Sequence, residues 1–398
     1  MVSNVSKSEA LKNASNVVAL LSQGSDPFIS EEVRVEALQA ANLVISALEK
    51  PEDGLIKFAF SPATWMAVRV CAQLNVFDII TKNEATSATE IAKKGNADES
   101  LIRRLLRVLT AAGFVAEKGV GLYGPTDWTV HINSRLAQGM IKFMYDASML
   151  PISQGPNWLK ETGYQNPVDP QRGMFQAANH TDLPIFEWLT VPKNKELWDN
   201  ANTFFEGDRG SRPSWLTWFP AKDKFFPQGH RQDTPLLVDV AGGRGHDLMD
   251  FLAKYPDEPG PFVLQDQKPV LESALSLSPK IEKQVFDLFA DSPVKGARIY
   301  FLKFILHDYV DEQCIQILKN VKASMVKGHS YLVINDFILP DTGCGLLQSQ
   351  WDLMMMVLLS SMERTETQWK TLLESADLSI EGMYSPPGDG QGIIVATL

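Results

Sequence analysis

The sequence predicts an α/β protein, with a sheet domain in its C-terminal part and a mainly helical winged-helix domain before it. Beyond Pro235, short runs rich in β-branched and aromatic residues alternate with helical stretches, which is typical of a parallel sheet covered by helices on both faces. Between residues 62 and 126, three helical stretches precede a short hairpin, which is the winged-helix pattern. The predicted strands are PLLVDV (235–240), PFVLQD (261–266), RIYFLKF (298–304), SYLVIND (330–336) and GIIVAT (392–397).

The length of 398 residues predicts two or three domains, at roughly 100–200 residues per domain. We assign a helical N-terminal arm to residues 1–60, the winged-helix domain to 61–135, a helical linker that contributes to the substrate pocket to 136–230, and the sheet domain to 231–398. A helical arm with little core of its own is typical of a segment that packs on another domain or subunit.

Local signals place the elements of the winged-helix domain. Ser87 stands three residues before Glu90, a capping-box signature at a helix start, and Gly95 is the predicted helix stop. The next helix, ESLIRRLLRVLTAAGF (99–114), has leucines at helical spacing and Gly113 as its predicted C-terminal cap. The stretch VAEKGVGLYGPT that follows is predicted to form the hairpin.

Charge argues against a nucleic-acid partner. The chain carries 37 Lys and Arg residues against 48 Asp and Glu residues, a net charge of −11, whereas phosphate binding needs clustered basic residues. Winged helices commonly bind DNA, but basic and acidic residues are mixed in the predicted second helix and wing. A structural or dimerising role is therefore favoured, and a DNA-binding regulator is kept as a third hypothesis.

The cysteines and the apolar patterning predict a cytoplasmic protein. Cys71, Cys314 and Cys344 lack metal-ligand spacing, so no metal site is expected, and their odd number suits a reducing compartment. The N-terminal residues lack a signal-peptide pattern. No run of about 18 apolar residues occurs, so no membrane partner is expected.

A glycine-rich turn follows the first predicted strand of the sheet domain. In DVAGGRGHD (239–247), Gly242, Gly243 and Gly245 let the backbone turn tightly and let a ligand approach the next helix. Asp266 ends the following strand, 21 residues after Gly245, where a carboxylate can accept hydrogen bonds from ribose hydroxyls. The sequence therefore predicts a nucleoside site. The spacing differs from G-x-G-x-x-G, which disfavours NAD and FAD.

Several ordered motifs give the chain a specific resemblance. LLVDVAGGRGHDL, the segment from VFDLFADSP to IQILKNV, LVINDFILP and MERTETQWKTLLESADL resemble the plant and fungal O-methyltransferases that use S-adenosylmethionine. The resemblance implies a Rossmann-like class I methyltransferase sheet domain, a dimerising winged-helix domain and a homodimer. It is strong over roughly residues 235–385 and loose before residue 60.

The resemblance also implies cofactor-binding roles. The three glycines would flank the methionine part of S-adenosylmethionine, and Asp266 its ribose. Asp287 and Leu288 match the pair beside the adenine, while Lys303 matches a lysine that helps to hold the cofactor. Ala241 stands where a glycine is more usual in this family.

The histidine of the HDY stretch, His307, matches the general base that deprotonates a substrate hydroxyl in this family. Histidine suits this role because its pKa lies near neutral pH, and a neighbouring carboxylate can fix its tautomer. Asp336 and Glu363 match the two acids that flank this histidine, although glutamate is more usual at the position of Asp336. Asp308 is expected either to point at the substrate or to cap the helix that begins near Asp311.

Substrate contacts are predicted from residues around the expected cleft. Met354, in the stretch WDLMMMVLL, matches a substrate-contacting position of the family, and methionines line adaptable apolar pockets; ordinary core packing is the alternative. The other candidates are Phe175, His180, Asp182, Arg209 and His131.

Two enzymatic functions follow from the resemblance. The first is O-methylation of a hydroxyl on an aromatic or polyketide-like small molecule in secondary metabolism. The alternative follows from fungal members of this superfamily that resemble methyltransferases but catalyse dehydration and pericyclic ring closure, with the sulfonium serving as a fixed charge. In that case Lys303, His307 and His131 would act as acids or hydrogen-bond donors.

Overall fold

The computed structural model describes residues 7–23, 29–206, 214–226, 234–258, 260–274, 276–386 and 388–398. The chain divides into two compact units, Met1–Tyr145 and Asp146–Leu398. The boundaries predicted from the sequence at residues 60, 135 and 230 stay predictions. No helix in the described part of the chain combines the length and the apolar composition that a bilayer crossing requires.

The first unit is mainly helical. Its elements are α1 Lys7–Leu21, α2 Glu31–Leu48, α3 Pro51–Gln73, α4 Val76–Thr81, β1 Thr86–Ser87, α5 Ala88–Gly95, α6 Glu99–Ala111, β2 Ala116–Gly119, β3 Leu122–Gly124 and α7 Asp127–Ile132; α8, Arg135–Glu161, begins in this unit. In the described residues, β1, β3 and β2 form an antiparallel sheet in that order, and β2 and β3 are the predicted hairpin.

Capping side chains begin the helices of this unit where the sequence predicts. The Ser87 side chain accepts a hydrogen bond from the Glu90 N–H at the start of α5, and Asp98 accepts from the Leu101 N–H at the start of α6. The predicted stop at Gly95 is displaced by one residue. Gly95 is the last residue of α5, and Asn96, in the left-handed region, is its C-cap, since a short polar side chain tolerates that conformation.

Several basic side chains of the first unit are neutralised along their own helices. Lys94 pairs with Glu90 on α5, and Arg103 pairs with Glu99 on α6. Such pairs at i,i+4 stabilise a helix by a few tenths of a kcal/mol. They also remove positive charge that a phosphate backbone would need, which agrees with the charge argument against nucleic acid.

The second unit contains the main sheet. After α8 its elements are α9 Met174–Asn179, α10 Ile185–Thr190, α11 Lys195–Glu206, α12 Trp215–Trp218, α13 Ala221–Phe225, β4 Leu237–Val240, α14 His246–Lys254, β5 Phe262–Asp266, α15 Lys268–Ser273, β6 Ile281–Val285, β7 Ile299–Lys303, α16 Asp311–Lys322, β8 Tyr331–Asp336, α17 Leu346–Leu359, α18 Glu366–Ser375, β9 Ser379–Tyr384 and β10 Gly392–Thr397.

Seven described strands form this sheet in the order β6–β5–β4–β7–β8–β10–β9. The strands from β6 to β8 run parallel, as predicted, but β10 is antiparallel to both β8 and β9. The prediction of a wholly parallel sheet is therefore wrong at this edge. The sequence analysis did not predict the edge strands β6 and β9. Exposed residues interrupt both strands, so neither contains a continuous apolar run.

Alternate residues of the central strands face two separate cores. On β4, Val238 and Val240 pack into a cluster that includes residues of α16 and α18. Leu237 packs on the other face, against the aromatic residues of α12 and α13. Because the central strands are buried on both faces, each has a nearly continuous apolar sequence. Most polar residues are then found at the ends of these strands.

Candidate active site

The carboxyl ends of β4, β5 and β7 open onto one cavity in the second unit. Ligands in open α/β sheets bind at this edge, where the strands of a parallel sheet all end. Its lining includes five aromatic residues: Phe186 of α10, Trp198 and Phe205 of α11, and Phe304 and Tyr309. The polar part of the lining includes the glycine-rich turn, Asp239, Asp266, Lys303 and Asp308.

The turn after β4 has the backbone that its sequence predicts. Gly243 and Gly245 adopt positive φ angles of 62° and 78°, which glycine adopts without a steric penalty. Ala241 also has a positive φ, 56°, so the methyl group that departs from the usual glycine is accommodated in a left-handed conformation. Such a conformation costs an alanine roughly 1–2 kcal/mol.

Gly242 is required for a different reason, which is a close contact. A Cβ atom at this position would lie 2.2 Å from Cγ of Asp239. The missing side chain therefore lets the turn lie directly against the Asp239 carboxylate.

Asp266 joins the turn to the end of β5. Its two carboxylate oxygens accept hydrogen bonds from the Gly243 N–H, at 2.7 Å, and from the Gln267 N–H, at 2.6 Å. Burial raises the pKa of Asp266 to about 6, although these two N–H donors act in the opposite direction. Each oxygen keeps further acceptor capacity, so the carboxylate can still bind hydroxyl groups of a ligand.

A cluster of buried charges lies beneath the turn. Lys303 Nζ donates to Asp247 Oδ1 at 2.9 Å, and His246 Nε2 lies 2.9 Å from Asp247 Oδ2. Burial would raise the pKa of Asp247, but the charges of Lys303 and His246 bring it well below its usual range. The ion pair ties the start of α14 to the end of β7 and thereby fixes the floor of the cavity.

Asp239 differs from Asp247 in this cluster, because its pKa is raised rather than lowered. It is 2 % exposed, and burial together with the negative charge of Asp247 raises its pKa to about 8. Among the described residues, no group makes a hydrogen bond to its Oδ2 atom. A buried carboxylate without such a partner is costly, and a cationic ligand group in the cavity would relieve this cost.

His307 lies in a 3-10 turn, Leu306–Asp308, that follows β7. It is 2 % exposed, and its Nδ1 atom lies 2.6 Å from Glu363 Oε1. On the other side of the ring, Nε2 lies 3.3 Å from Asp308 Oδ1. The imidazole is thus held between two carboxylates, one of which, that of Asp308, belongs to a residue that lines the cavity.

The structure brings most of the predicted cofactor residues together. Five of them contribute to the cavity: Gly242, Gly243, Asp266, Leu288 and Lys303. Gly245 lies just outside its lining, as the N-cap of α14. Asp287 is exposed, and its Oδ1 atom accepts from the Phe289 and Ala290 N–H groups, so this carboxylate caps its own turn. The adenine-side role of Asp287 stays a prediction.

The predicted flanking acids occupy different positions. Glu363 contacts the imidazole directly, as described above. Asp336 is fully buried at the end of β8, next to the strand that leads to His307. Of the two alternatives for Asp308, the capping of the next helix is wrong, because Val310 is the N-cap of α16 and no side chain caps that helix. Asp308 instead lines the cavity.

Apart from Asp308, the predicted substrate residues that the structure describes lie outside the lining of this cavity. Phe175 is buried and packs edge-on against Trp188, with ring centroids 5.2 Å apart. His180 and Asp182 are exposed, and Met354 is half-buried on α17. His131 is exposed on α7 of the first unit, and Arg209 lies outside the described residues. Their substrate roles stay predictions.

Several cavity residues were missed by the sequence analysis. Asp239 gave a readable signal, since it is a single acid inside an apolar strand, and Asp247 follows the glycine turn directly. Arg244, which pairs with Glu206 of α11, also lies within the quoted motif. The aromatic residues of α10 and α11 gave no local signal, because only the fold brings them to the sheet edge.

Comparisons with known proteins agree with this architecture. Residues 224–379 match the O-methyltransferase domain, and residues 56–130 match the O-methyltransferase dimerisation domain. The O-methyltransferase penC of Penicillium thymicola is 32% identical over 367 residues, which cover 92% of this chain and 91% of that protein. The chain therefore belongs to the O-methyltransferase family.

Solved structures extend the similarity over almost the whole chain. The structure of LepI in complex with SAM aligns with a TM-score of 0.87 and 28% identity, covering 99% of this chain and 100% of that one. A structure described as a pericyclic reaction enzyme aligns with a TM-score of 0.87 and 27% identity, covering 98% and 100%. The predicted fold class, a helical dimerisation domain followed in sequence by a Rossmann-like sheet domain, is confirmed. Both predicted reactions, O-methylation and pericyclic ring closure, agree with these similarities.

Proposed function

We propose that this protein is an S-adenosylmethionine-dependent O-methyltransferase that acts on a hydroxyl of an aromatic or polyketide-like small molecule in fungal-type secondary metabolism. The observation that carries this proposal is the buried His307, whose Nδ1 atom lies 2.6 Å from Glu363 Oε1, beside a cavity with the features of a nucleoside site. The aromatic residues in the lining of the cavity suit a planar, largely apolar substrate.

The residues present fit the proposed cofactor. When bound, S-adenosylmethionine supplies an activated methyl group on a positively charged sulfur. Asp266 would hold the ribose hydroxyls, and Leu288 would contact the adenine. Asp239, whose Oδ2 atom has no hydrogen-bond partner among the described residues, would hold the ammonium group of the methionine part. The glycine turn leaves room for close approach.

His307 is proposed as the general base. Glu363 accepts the Nδ1 proton, which fixes the tautomer and leaves the lone pair on Nε2 to take the proton of a substrate hydroxyl. Once Nε2 carries that proton, Asp308 Oδ1, at 3.3 Å, stabilises the imidazolium. Removing the hydroxyl proton matters because a neutral oxygen is a poor nucleophile.

The role of Asp239 predicts proton release when the cofactor binds. With a pKa of about 8, Asp239 is mostly protonated at pH 7 without ligand, and an adjacent ammonium group should ionise it. We expect the release of roughly one proton per S-adenosylmethionine bound. Calorimetry at pH 7 in buffers of different ionisation enthalpy measures this number.

The control for this experiment is Asp239→Asn, which keeps the side-chain volume but cannot ionise. We expect this variant to bind S-adenosylmethionine more weakly and to show enthalpies almost independent of the buffer. Equal proton release from both proteins would contradict the assignment of Asp239.

A second candidate function is a SAM-dependent pericyclase that does not consume its cofactor. It is favoured by the similarity to the pericyclic reaction enzyme over 98% of this chain. To separate the two, the protein is incubated with phenolic and polyketide-derived substrates and methyl-labelled S-adenosylmethionine. Labelled product and S-adenosylhomocysteine support methyl transfer; an isomerised or dehydrated product with the donor intact supports the pericyclase and overturns the leading proposal.

We also propose that the protein is a cytoplasmic homodimer whose first unit, with its winged-helix pattern, supplies the interface. Support comes from the match to the dimerisation domain and from exposed apolar side chains on α3: Leu55, Ile56, Phe58 and Phe60 are between 54% and 74% exposed. Light scattering after size-exclusion chromatography should give twice the mass of the chain. We expect Phe58→Glu to yield monomers; Val120→Glu, at a fully exposed position in the β2–β3 turn, is the control.

A further inference from the structure

The turn that carries His307 has little backbone support of its own. It is a three-residue 3-10 turn, closed by hydrogen bonds of 3.1 Å from the Asp308 N–H and 3.4 Å from the Tyr309 N–H. The residue after β7, Phe304, adopts a positive φ of 54°, which is unfavourable for a bulky residue. Short 3-10 turns have poor hydrogen-bond geometry, so contacts from elsewhere must fix the orientation of His307.

Several of those contacts come from one short segment, residues 361–364. Ser361 Oγ donates to the main-chain oxygen of His307 at 2.6 Å. Arg364 donates to the main-chain oxygens of Leu306, at 2.7 Å, and of Tyr309, at 2.9 Å. Between these two residues, Glu363 contacts the imidazole itself. The segment therefore holds the main chain on both sides of His307 and the ring at the same time.

Arg364 is unusually buried for an arginine, at 1 % exposure. Its guanidinium pairs with Asp311 at 2.8 Å, donates to Cys314 Sγ at 3.4 Å, and lies over the ring of Trp369 at 5.6 Å. Removing a guanidinium from water is costly unless its donors are satisfied. Here the donors bond the Leu306 and Tyr309 oxygens of the His307 turn, to which the Cys314 thiol also donates.

The segment is anchored to the sheet and to α17. The Leu339 N–H donates to the Arg364 oxygen at 3.0 Å, and the Glu366 N–H donates to the Leu339 oxygen at 2.9 Å, beyond the end of β8. The Glu363 N–H donates to Asp352 Oδ1 of α17 at 2.9 Å. These bonds make the segment a fixed frame against which the turn is held.

We propose that Ser361 and Arg364 are positioning residues that hold His307 in its working orientation through the main chain of its turn. This inference rests on the proposed role of His307 as a base. It assigns a function to two side chains that do not line the cavity and that bond the turn through its main-chain oxygens.

The test compares two buried serines that donate equally short hydrogen bonds to main-chain oxygens. Ser361 bonds the turn, whereas Ser324, which follows α16, bonds the Pro293 oxygen at 2.6 Å. The two are 4% and 2% exposed, so alanine removes the same atoms from similar surroundings. Each variant is prepared with ¹⁵N-labelled histidine, and the His307 imidazole resonances are assigned by their absence in His307→Gln.

We expect Ser361→Ala to move the His307 Nδ1 proton resonance and the pH titration of the ring, and Ser324→Ala to leave both unchanged. In a methyl-transfer assay, kcat of Ser361→Ala should fall roughly 10- to 100-fold, while the Kd for S-adenosylhomocysteine should stay unchanged. Ser361→Thr should recover most of the lost kcat. Arg364→Lys, which keeps the charge but loses the planar fork, should move the same resonance.

Unchanged His307 resonances in both Ser361→Ala and Arg364→Lys would overturn the proposal, since the residues would then serve stability alone. The spectroscopic readout requires no substrate. If the resonance moves but the unmodified protein transfers no methyl group, the positioning role stands and the proposed O-methylation fails.

Discussion

Replacing His307 with glutamine is expected to lower kcat for methyl transfer roughly 10²- to 10⁴-fold, the contribution typical of a general base. Glutamine is close to histidine in length and can still donate to Glu363, so the turn should keep its conformation. The Kd for S-adenosylhomocysteine should change little, because the imidazole is not part of the cavity lining. Single-turnover rates and calorimetry on the same preparation measure the two quantities.

The matched control is His329→Gln, at a half-buried position just before β8 and outside the lining of the cavity. This variant should transfer methyl groups at the rate of the unmodified protein. A His307→Gln variant that keeps its full rate of methyl transfer would exclude this residue as the base, whatever the effect on binding.

The sequence analysis identified the parts of the site that are set locally. The turn at 241–245, Asp266 and the HDY stretch each sit where one strand ends, so their positions follow from neighbouring residues. The contact between His307 and Glu363 joins residues 56 positions apart, and only the resemblance to the family predicted it. The physical cause is the sheet order, which no local pattern encodes.

Two kinds of feature escaped prediction for physical reasons. The edge strands β6 and β9 expose one or both faces, so their composition does not differ clearly from that of loops. Asp239 was overlooked because it lies inside the apolar run 235–240, which predicts a strand but assigns no role to the acid. Its burial is explained only by the cavity next to it, which the structure shows. At functional sites a residue can depart from the sequence pattern that its secondary structure favours.

Replacing Gly242 with alanine is expected to have the largest effect on cofactor binding. The added Cβ would lie 2.2 Å from Asp239 Cγ and 2.3 Å from its Oδ2, far inside contact distance. Asp239 is only 2 % exposed and lies within β4, so it cannot swing away and the turn itself must move. We expect the Kd for S-adenosylhomocysteine to rise at least about 100-fold, which corresponds to about 2.7 kcal/mol, measured by calorimetry.

The same substitution at Gly345 separates this effect from a general intolerance to alanine. A Cβ at Gly345 would meet only Gln348 Oε1, at 3.3 Å, and the residue has an ordinary φ of −66° as the N-cap of α17. Gly345→Ala should therefore bind the cofactor as the unmodified protein does. Circular dichroism confirms that both variants are folded. A displaced turn also releases the Gly243 N–H from Asp266. If the folded Gly242→Ala variant bound S-adenosylhomocysteine with unaltered affinity, the cofactor would have to lie elsewhere in the protein.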